Sequence, residues 1–299
     1  MKIAAIIVAY HPDESIDKLI KTIAAQVDSV YLIDNSPTQL AANQLEHCQR
    51  YFHLAGNRGV AAAQNCGIRH AIDQGMSHVL LLDQDSEPAP DLIASLARAL
   101  VVSETQTGRE KVAAIGPMYV DKNTGEHSTF LRIGIFRNKR IFFDPKHSRD
   151  IVDTDFLISS GCLIPVNVLT DIGMMDESLF IDYVDTEWGL RAKQQGYRLL
   201  GASGNLMQHR IGEASQRVWF GRWRQVAVHK SFRYYYIFRN SLILFHRPCA
   251  FKWRLFHLKR LLLLFVFIIC SRVGMANVRY ACAGVRDAIA GRTGPMPGT

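Results

Sequence analysis

Two carboxylates two residues apart, in Asp83-Gln84-Asp85, follow directly on the apolar run Val79-Leu80-Leu81-Leu82. At a strand end such a pair divides its work. One carboxylate can hydrogen-bond a ribose hydroxyl while the other can hold a divalent cation. Mg2+ and Mn2+ prefer oxygen ligands and bridge phosphate oxygens, so few protein ligands are needed. Alone the motif is weak, because acidic turns after strands are common. A second cluster, Asn57-Arg58-Gly59 leading into Val60-Ala61-Ala62-Ala63-Gln64-Asn65-Cys66-Gly67, sets a glycine at the mouth of a helix of small side chains. That lets a ligand come close to a helix N-terminus, where anions are favoured; tight helix–sheet packing explains the same residues equally well. A third, Phe180 to Arg191, sets Asp185 at the start of an amphipathic helix, a place suited to a carboxylate base. Acidic N-terminal capping accounts for Asp182 or Asp185 without catalysis, and Glu187 and Arg191 are spaced to pair along the helix. His209 ends a short apolar strand in Met207-Gln208-His209-Arg210-Ile211-Gly212. A lone histidine is more often structural, but with acidic clusters upstream a metal-ligand role competes.

The elements that must position these groups read as alternating strands and helices. Strands are predicted at Ile3–Ala9, Val30–Ile33, Tyr51–Leu54 and Val79–Leu82, and helices at Glu14–Gln26, Val60–Asp73 and Asp91–Val102. Such alternation implies an α/β fold with a mostly parallel sheet covered on both faces. Ligands of such sheets bind beyond the carboxyl ends of the strands. Val8-Ala9-Tyr10, Asp34-Asn35-Ser36 and Asp83-Gln84-Asp85 all fall there. Residues 111–160 are less regular, with a hairpin expected around Arg137-Asn138-Lys139. Helices follow at 165–173 and 184–195, then strands at Tyr197–Leu200 and Asn205–Met207.

Charge divides the chain. Residues 1–209 sum to about −6 and residues 210–299 to about +14, giving +8 in all. An acidic body suits a metal site, and a basic tail seeks an anionic surface, nucleic acid or lipid. The tail is rich in aromatics, with Trp219, Trp223, Tyr234, Tyr235 and Tyr236 placed to sit at headgroup depth. Its apolar core Leu261–Cys270 is only ten residues, half the length of a membrane-spanning helix. It reads as a helix lying in the bilayer interface or one packed on the body. The opening MKIAAIIVAY is short, β-branched and without a small-residue cleavage site, which predicts a buried strand rather than a signal peptide. Six scattered cysteines without a C-x-x-C pair argue against a disulfide scaffold or zinc site and fit a reducing cytoplasm.

The ordered set V-A-Y, I-D-N-S, N-R-G-V-A-A-A-Q-N-C-G, L-L-D-Q-D-S, F-I-D-Y-V-D-T-E-W-G-L-R and H-R-I-G resembles the inverting family 2 glycosyltransferases of GT-A fold. The D-Q-D-S and F-I-D-Y-V-D-T-E-W forms are most similar to the bacterial rhamnosyltransferase branch. The match covers residues 1–212, an expected GT-A catalytic domain, and leaves 213–299 as a basic, aromatic, mostly helical appendage, membrane-associating or packed on that domain. The resemblance implies that Tyr10 and Asp34 contact the base, and that Asn57, Gly59 and Asn65 line the nucleotide site. It implies Asp83 on the ribose, Asp85 and His209 on a Mg2+ or Mn2+ ion, and Asp185 as the catalytic base. Many relatives carry Glu-Asp where this chain has Val184-Asp185, which keeps Asp182 as a rival base. The expected reaction moves L-rhamnose from dTDP-L-rhamnose to a lipid-linked saccharide acceptor, as in O-antigen-type surface polysaccharide. The expected location is the cytoplasm, peripherally on the inner face of the cytoplasmic membrane. Another nucleotide-sugar donor is the nearest alternative. A nucleotidyltransferase would carry a Gly-rich basic loop after the first strand, where none stands. A nucleic-acid-binding protein leaves the acidic clusters unexplained, and no nucleic-acid partner is expected.

Overall fold

Leucine-rich and β-branched runs that stop at polar turns build a central sheet. The computed structural model describes residues 1–40, 47–107, 111–121, 125–135, 137–143, 151–209, 214–219, 223–248, 250–270 and 275–298, with His209 described by its backbone. In chain order the first elements are β1 (Ile3–Ala9), α1 (Ser15–Ala24), β2 (Ser29–Asp34), β3 (Arg50–His53), α2 (Val60–Asp73) and β4 (His78–Asp83). The four strands run parallel in the order β3-β2-β1-β4. Their register sets Ala9 opposite Asp34 and Val8 opposite Asp83, so the polar residues that follow share one edge.

Next come β5 (Glu87–Pro88), α3 (Leu92–Thr107), β6 (Val112–Asp121), β7 (Phe130–Arg132), β8 (Lys139–Ile141), β9 (Ile151–Thr154), β10 (Leu163–Pro165), α4 (Val166–Ile172), a 3-10 turn at Glu177–Leu179, α5 (Val184–Gln194) and β11 (Arg198–His209). The main sheet continues β4-β10-β6-β11-β5, with β9 paired to β11. Here β10 runs antiparallel to both β4 and β6, while β6 and β11 are parallel. Adjacent residues of one strand point to opposite faces. Ile6, Ile33 and Leu81 therefore pack with Ala61 and Ile68 of α2, while Ile7, Leu32 and Leu80 pack with Leu19 of α1 and Leu96 of α3. Helices cover both faces, as the sequence implied.

Where the sequence was least regular, the structure is specific. The stretch 111–160 contains the long central strand β6, buried from Val112 to Met118, and the expected hairpin is β7–β8. The two strands expected within 197–207 are one strand, β11, whose register against β6 shifts between Ala202 and Leu206. A bulge of this kind breaks the alternation that a single strand would show. The C-terminal part is not helical throughout: β12 (Ala214–Trp219) and β13 (Trp223–Val228) form an antiparallel hairpin before α6 (Ser231–His246), α7 (Phe251–Cys270) and α8 (Met275–Ile289). The expected boundary at 212/213 lies outside the described residues. No helix among the described residues is long and apolar enough to cross a membrane.

Helix α6 corrects one expectation. Tyr234, Tyr235 and Tyr236 are 0%, 1% and 2% exposed and cannot sit in a headgroup layer. They pack instead against Phe180, Tyr183 and the neighbouring helices. The side chains of Trp219 and Trp223 lie outside the described residues.

Candidate active site

The three strand-end clusters meet as expected and are laced together by hydrogen bonds. The Tyr10 amide donates to Gln84 Oε1 at 2.6 Å, and the His11 amide to Ser36 Oγ at 2.8 Å. The Asp83 amide donates to Ser160 Oγ at 3.2 Å, and Ser160 Oγ lies 2.5 Å from Ser86 Oγ. The Ser159-Ser160-Gly161 turn therefore braces the D-Q-D-S turn. Asn35 Nδ2 donates to Asn57 Oδ1 at 3.0 Å while the Arg58 amide donates to Asn35 Oδ1 at 2.8 Å, joining the end of β2 to the entry of α2. The Tyr10 ring is 44% exposed at this edge and is available to a planar ligand.

Several expected ligand residues have other occupations. Asp34 is fully buried. Its carboxylate accepts from Tyr51 Oη at 2.7 Å and from the amides of Ser36 and Leu40 at 3.0 and 3.3 Å. Burial, followed by the Asp34 hydrogen bond, pushes the Tyr51 hydroxyl up to about 12, so it stays a donor. Asp34 thus shapes the loop after β2 and presents no exposed oxygen to a base. Asn65, 2% exposed, exchanges hydrogen bonds with the backbone of Met175 and donates to Glu177 Oε1 at 2.8 Å. It fastens the loop before α5 and does not line an open cleft.

Gly59 is needed for chain packing. Its φ is +84°, and a Cβ there would stand 2.6 Å from the Phe180 carbonyl oxygen. That oxygen accepts from the amides of Val60 at 2.8 Å and Ala61 at 3.5 Å. The N-terminus of α2, expected to face a ligand anion, is met by this backbone carbonyl. Gly59 is thus packed closely on the Phe180 turn, a loop contact rather than the helix–sheet packing weighed from the sequence.

The segment brought in by that contact is strained. Phe180, Asp182 and Tyr183 all have φ between +64° and +66°, a region L-residues rarely occupy. Such strain persists only where surroundings over-determine it, and it gathers at active sites. Here the surroundings are α6. Asn240, fully buried, donates to the carbonyls of Leu179, Ile181 and Asp182 at 2.9, 2.8 and 2.9 Å. Arg239, also fully buried, donates to the Leu179 carbonyl at 3.0 Å, to Gly294 at 2.5 Å and to Asn240 Oδ1 at 2.9 Å. Its guanidinium lies over the rings of Tyr235 and Tyr236. Arg233 binds both carboxylate oxygens of Asp182, at 3.2 and 2.5 Å.

These α6 residues were not singled out from the sequence, though a signal existed. An Arg-Asn pair inside Tyr-Tyr-Tyr-Ile-Phe-Arg-Asn-Ser-Leu-Ile-Leu-Phe has little solvent to face, and charged groups are almost never fully buried unless paired.

The strained turn delivers Asp185 to the first turn of α5. Its Oδ1 accepts from the Thr186 amide at 2.7 Å. It borders a small cavity of about 20 Å3 walled by Leu81, Cys162, Met175 and Trp188. Burial among these groups is the main reason its carboxyl is pushed up to about 6. The Thr186 hydrogen bonds oppose that rise, and the charges of Asp83 and Asp182 add to it. A carboxyl poised near neutrality suits general-base work. Burial alone would lower the Arg233 guanidinium, but Asp182, Asp83 and Asp185 outweigh it and hold it above its ordinary value. The rival Asp182 is thereby engaged by a fixed cation, whereas Asp185 is held by hydrogen bonds from Thr186. As expected, Glu187 and Arg191 pair along α5, at 2.8 Å, and Arg247 of the tail joins them at 3.2 Å.

Asp85 follows Asp83 on the same turn, and β11 approaches it: Gln208 is paired with Glu87 and His209 with Asp121. The backbone thus brings the end of β11 to the rim that carries the D-Q-D-S turn. Among the described residues no three His, Cys, Asp or Glu side chains gather as a metal site, and the His209 side chain lies outside them.

Comparison with known proteins places this arrangement. The chain is 29% identical to the dTDP-rhamnosyl transferase RfbF of Shigella flexneri over 248 residues, 82% of this chain and 80% of the relative. Among solved structures it resembles S. aureus TarS 1-349 in complex with UDP-GlcNAc, with TM-score 0.56, 14% identity, and coverage of 97% of this chain and 81% of that one. It also resembles GalNAc-T7 crystallised with UDP, GalNAc and Mn2+, with TM-score 0.52, 16% identity, and coverage of 70% of this chain and 44% of that one. Residues 4–169 match the family model described as Glycosyl transferase family 2. An α/β sheet that gathers its carboxylates at the strand ends, matched by this family over more than half its length, makes the chain a member of glycosyl transferase family 2 and a glycosyltransferase.

Proposed function

We propose that the enzyme transfers L-rhamnose from dTDP-L-rhamnose, with inversion, to a lipid-linked saccharide in surface-polysaccharide assembly of the O-antigen type. The observation that carries the reaction is the placing of Asp185 in the first turn of α5, held by the Thr186 amide, where burial first and the charge of Asp83 after it push its carboxyl up to about 6. The likeness to RfbF supports the donor. Asp185 takes the proton of an acceptor hydroxyl as that oxygen bonds to the anomeric carbon. The bond from that carbon to the β-phosphate oxygen breaks, and dTDP leaves with its electron pair. One in-line displacement converts a β-L-rhamnosyl donor to an α-linked product. Asp83 is assigned to the ribose and Tyr10 to the base.

Asp85 and His209 are assigned to a Mg2+ or Mn2+ ion. The hard carboxylate oxygens of Asp85 suit either metal where substrate phosphates and water would complete the shell, and an imidazole ligand would favour Mn2+ over Mg2+. Such an ion, when bound, neutralises charge on the departing diphosphate. The acceptor side is assigned to the membrane surface. Leu258, Leu262, Phe265 and Ile269 of α7 recur every three or four residues with between 38% and 58% exposure, and residues 210–299 carry about +14. An apolar stripe on a basic segment binds at an anionic bilayer interface.

The test is dTDP release from dTDP-L-rhamnose, with and without Mg2+ or Mn2+, in the presence of membrane lipid extract. Metal-dependent release giving an α-linked product is expected. If dTDP-L-rhamnose neither binds nor turns over while a UDP- or GDP-sugar does, the donor assignment falls; a β-linked product removes the single displacement.

A further inference from the structure

A groove of about 290 Å3 lies between α7 and the turn of the β7–β8 hairpin. Leu255, Phe256 and Leu263 of α7 and Ile135 of the hairpin give it an apolar lining, and Lys259 and Arg260 stand at it as well. Neither cation pairs with a carboxylate among the described residues; Arg260 instead lies 5.3 Å over the ring of Tyr183. Tyr183 is the residue from which α5 starts, two positions before Asp185. The groove therefore combines apolar walls with cations, and Arg260 ties it to the turn that carries the base. It also adjoins Leu258 and Leu262 of the exposed stripe, because residues 258 to 263 share about one turn and a half of α7.

Resting on the proposed transfer to a lipid-linked acceptor, we infer that this groove seats the carrier of that acceptor, an isoprenoid diphosphate. Its diphosphate lies on Lys259 and Arg260, and the first part of its chain lies against Leu255, Phe256 and Leu263. Lys and Arg are the side chains suited to phosphate oxygens, and apolar walls with a few placed polar groups are the usual make-up of a ligand pocket. The stripe beside the groove lets the rest of the chain stay in the bilayer. Through the Arg260–Tyr183 contact, a diphosphate anchored at Arg260 lies next to the turn that leads into Asp185. A bulk anionic surface satisfies the cations but leaves the groove's apolar walls without a role. That is what favours a phosphorylated isoprenoid over ordinary anionic lipid.

The test is flotation of the full chain with phosphatidylcholine vesicles containing either a polyprenyl diphosphate or phosphatidylglycerol of equal total charge, in about 0.15 M salt. The wild type is expected to favour the polyprenyl diphosphate vesicles at least about tenfold. The double variant Lys259→Ala/Arg260→Ala is expected to lose that preference with its thermal midpoint retained, and Leu262→Ser to weaken binding to both vesicle types alike. Equal binding of the wild type to both vesicles overturns the inference. So does competition by inorganic pyrophosphate as strong as by the polyprenyl compound, or an equal loss on both vesicles in the double variant. Release of dTDP from the donor, measured in parallel, separates the outcomes: release without vesicle preference removes the groove assignment alone, and no release from any sugar nucleotide removes the reading beneath it.

Discussion

Asp185→Asn is expected to lower turnover about 10²–10⁴-fold, the usual contribution of a general base, while the nucleotide still binds. The same substitution is expected to stabilise the fold at neutral pH. The folded-state carboxyl is raised to about 6 from an ordinary value of 3.8. A raised group contributes stability that is fully present below the unfolded value and is lost as pH rises through about 6. At pH 7.5 the ionised side chain therefore costs stability, on the order of 1–2 kcal/mol for a carboxylate that solvent partly reaches, less than the full shift at about 1.4 kcal/mol per pH unit would give. Asparagine keeps an oxygen for the Thr186 amide and removes the charge. A thermal midpoint a few degrees higher than wild type at pH 7.5, and no higher at pH 4, is the expected result of calorimetric scans at the two pH values. A midpoint unchanged at pH 7.5 would mean that solvent reaches the carboxylate more freely than its apolar walls imply.

The second large effect is expected at Asn240. Three carbonyls of a turn with three left-handed residues are tied by this one amide. Asn240→Ala removes the donor and leaves buried acceptors unsatisfied, at about 1–3 kcal/mol for each group exposed to that loss. A net destabilisation of about 2–4 kcal/mol is expected. The turn then relaxes toward ordinary backbone angles and carries Asp185 with it. Since misplacement by an ångström lowers rate about 10²-fold, kcat is expected to fall by that order with the donor KM little changed. Steady-state kinetics beside thermal melts make the check. A variant that is destabilised yet keeps full kcat would reduce Asn240 to a packing residue. Arg239→Lys is expected to move in the same direction, because lysine lacks the planar fork that meets the Asn240, Leu179 and Gly294 oxygens together.

The reach of sequence reading follows from which interactions are local. Helix Val60–Asp73 was legible to the residue, because glycine precedes it and its small side chains repeat with helical period. The strand ends were legible because apolar runs stop at polar turns, and the parallel register then forces Tyr10, Asn35 and Asp83 to one edge. Strand β10 was not legible: three residues buried on both faces have no alternation to read, and only its antiparallel place between β4 and β6 defines it. The candidate residues divide in the same way. Asp83, Asp85 and Asp185 sit on turns whose local sequence points to their placement. Asp34 and Asn65 look the same in sequence, but long-range partners claim them: Tyr51 for the first, the Met175 loop for the second. Arg233, Arg239 and Asn240 act on residues 50 or more positions away. No spacing rule reaches that far, so the dependence of the active site on α6 became visible only in three dimensions.

The pH dependence of kcat/KM for wild type, Asp185→Asn and Asp182→Asn tests the central claim, that Asp185 is the base of this glycosyltransferase. In the free enzyme this ratio reports the ionisation of the essential base. The wild type is expected to lose about tenfold per pH unit below about 6. Asp182→Asn is expected to keep such a limb, moved to lower pH because a charge that raises Asp185 is gone, and the residual activity of Asp185→Asn is expected to have none. A limb near 6 that survives in Asp185→Asn, or that vanishes in Asp182→Asn, would contradict the assignment and move the base to Asp182.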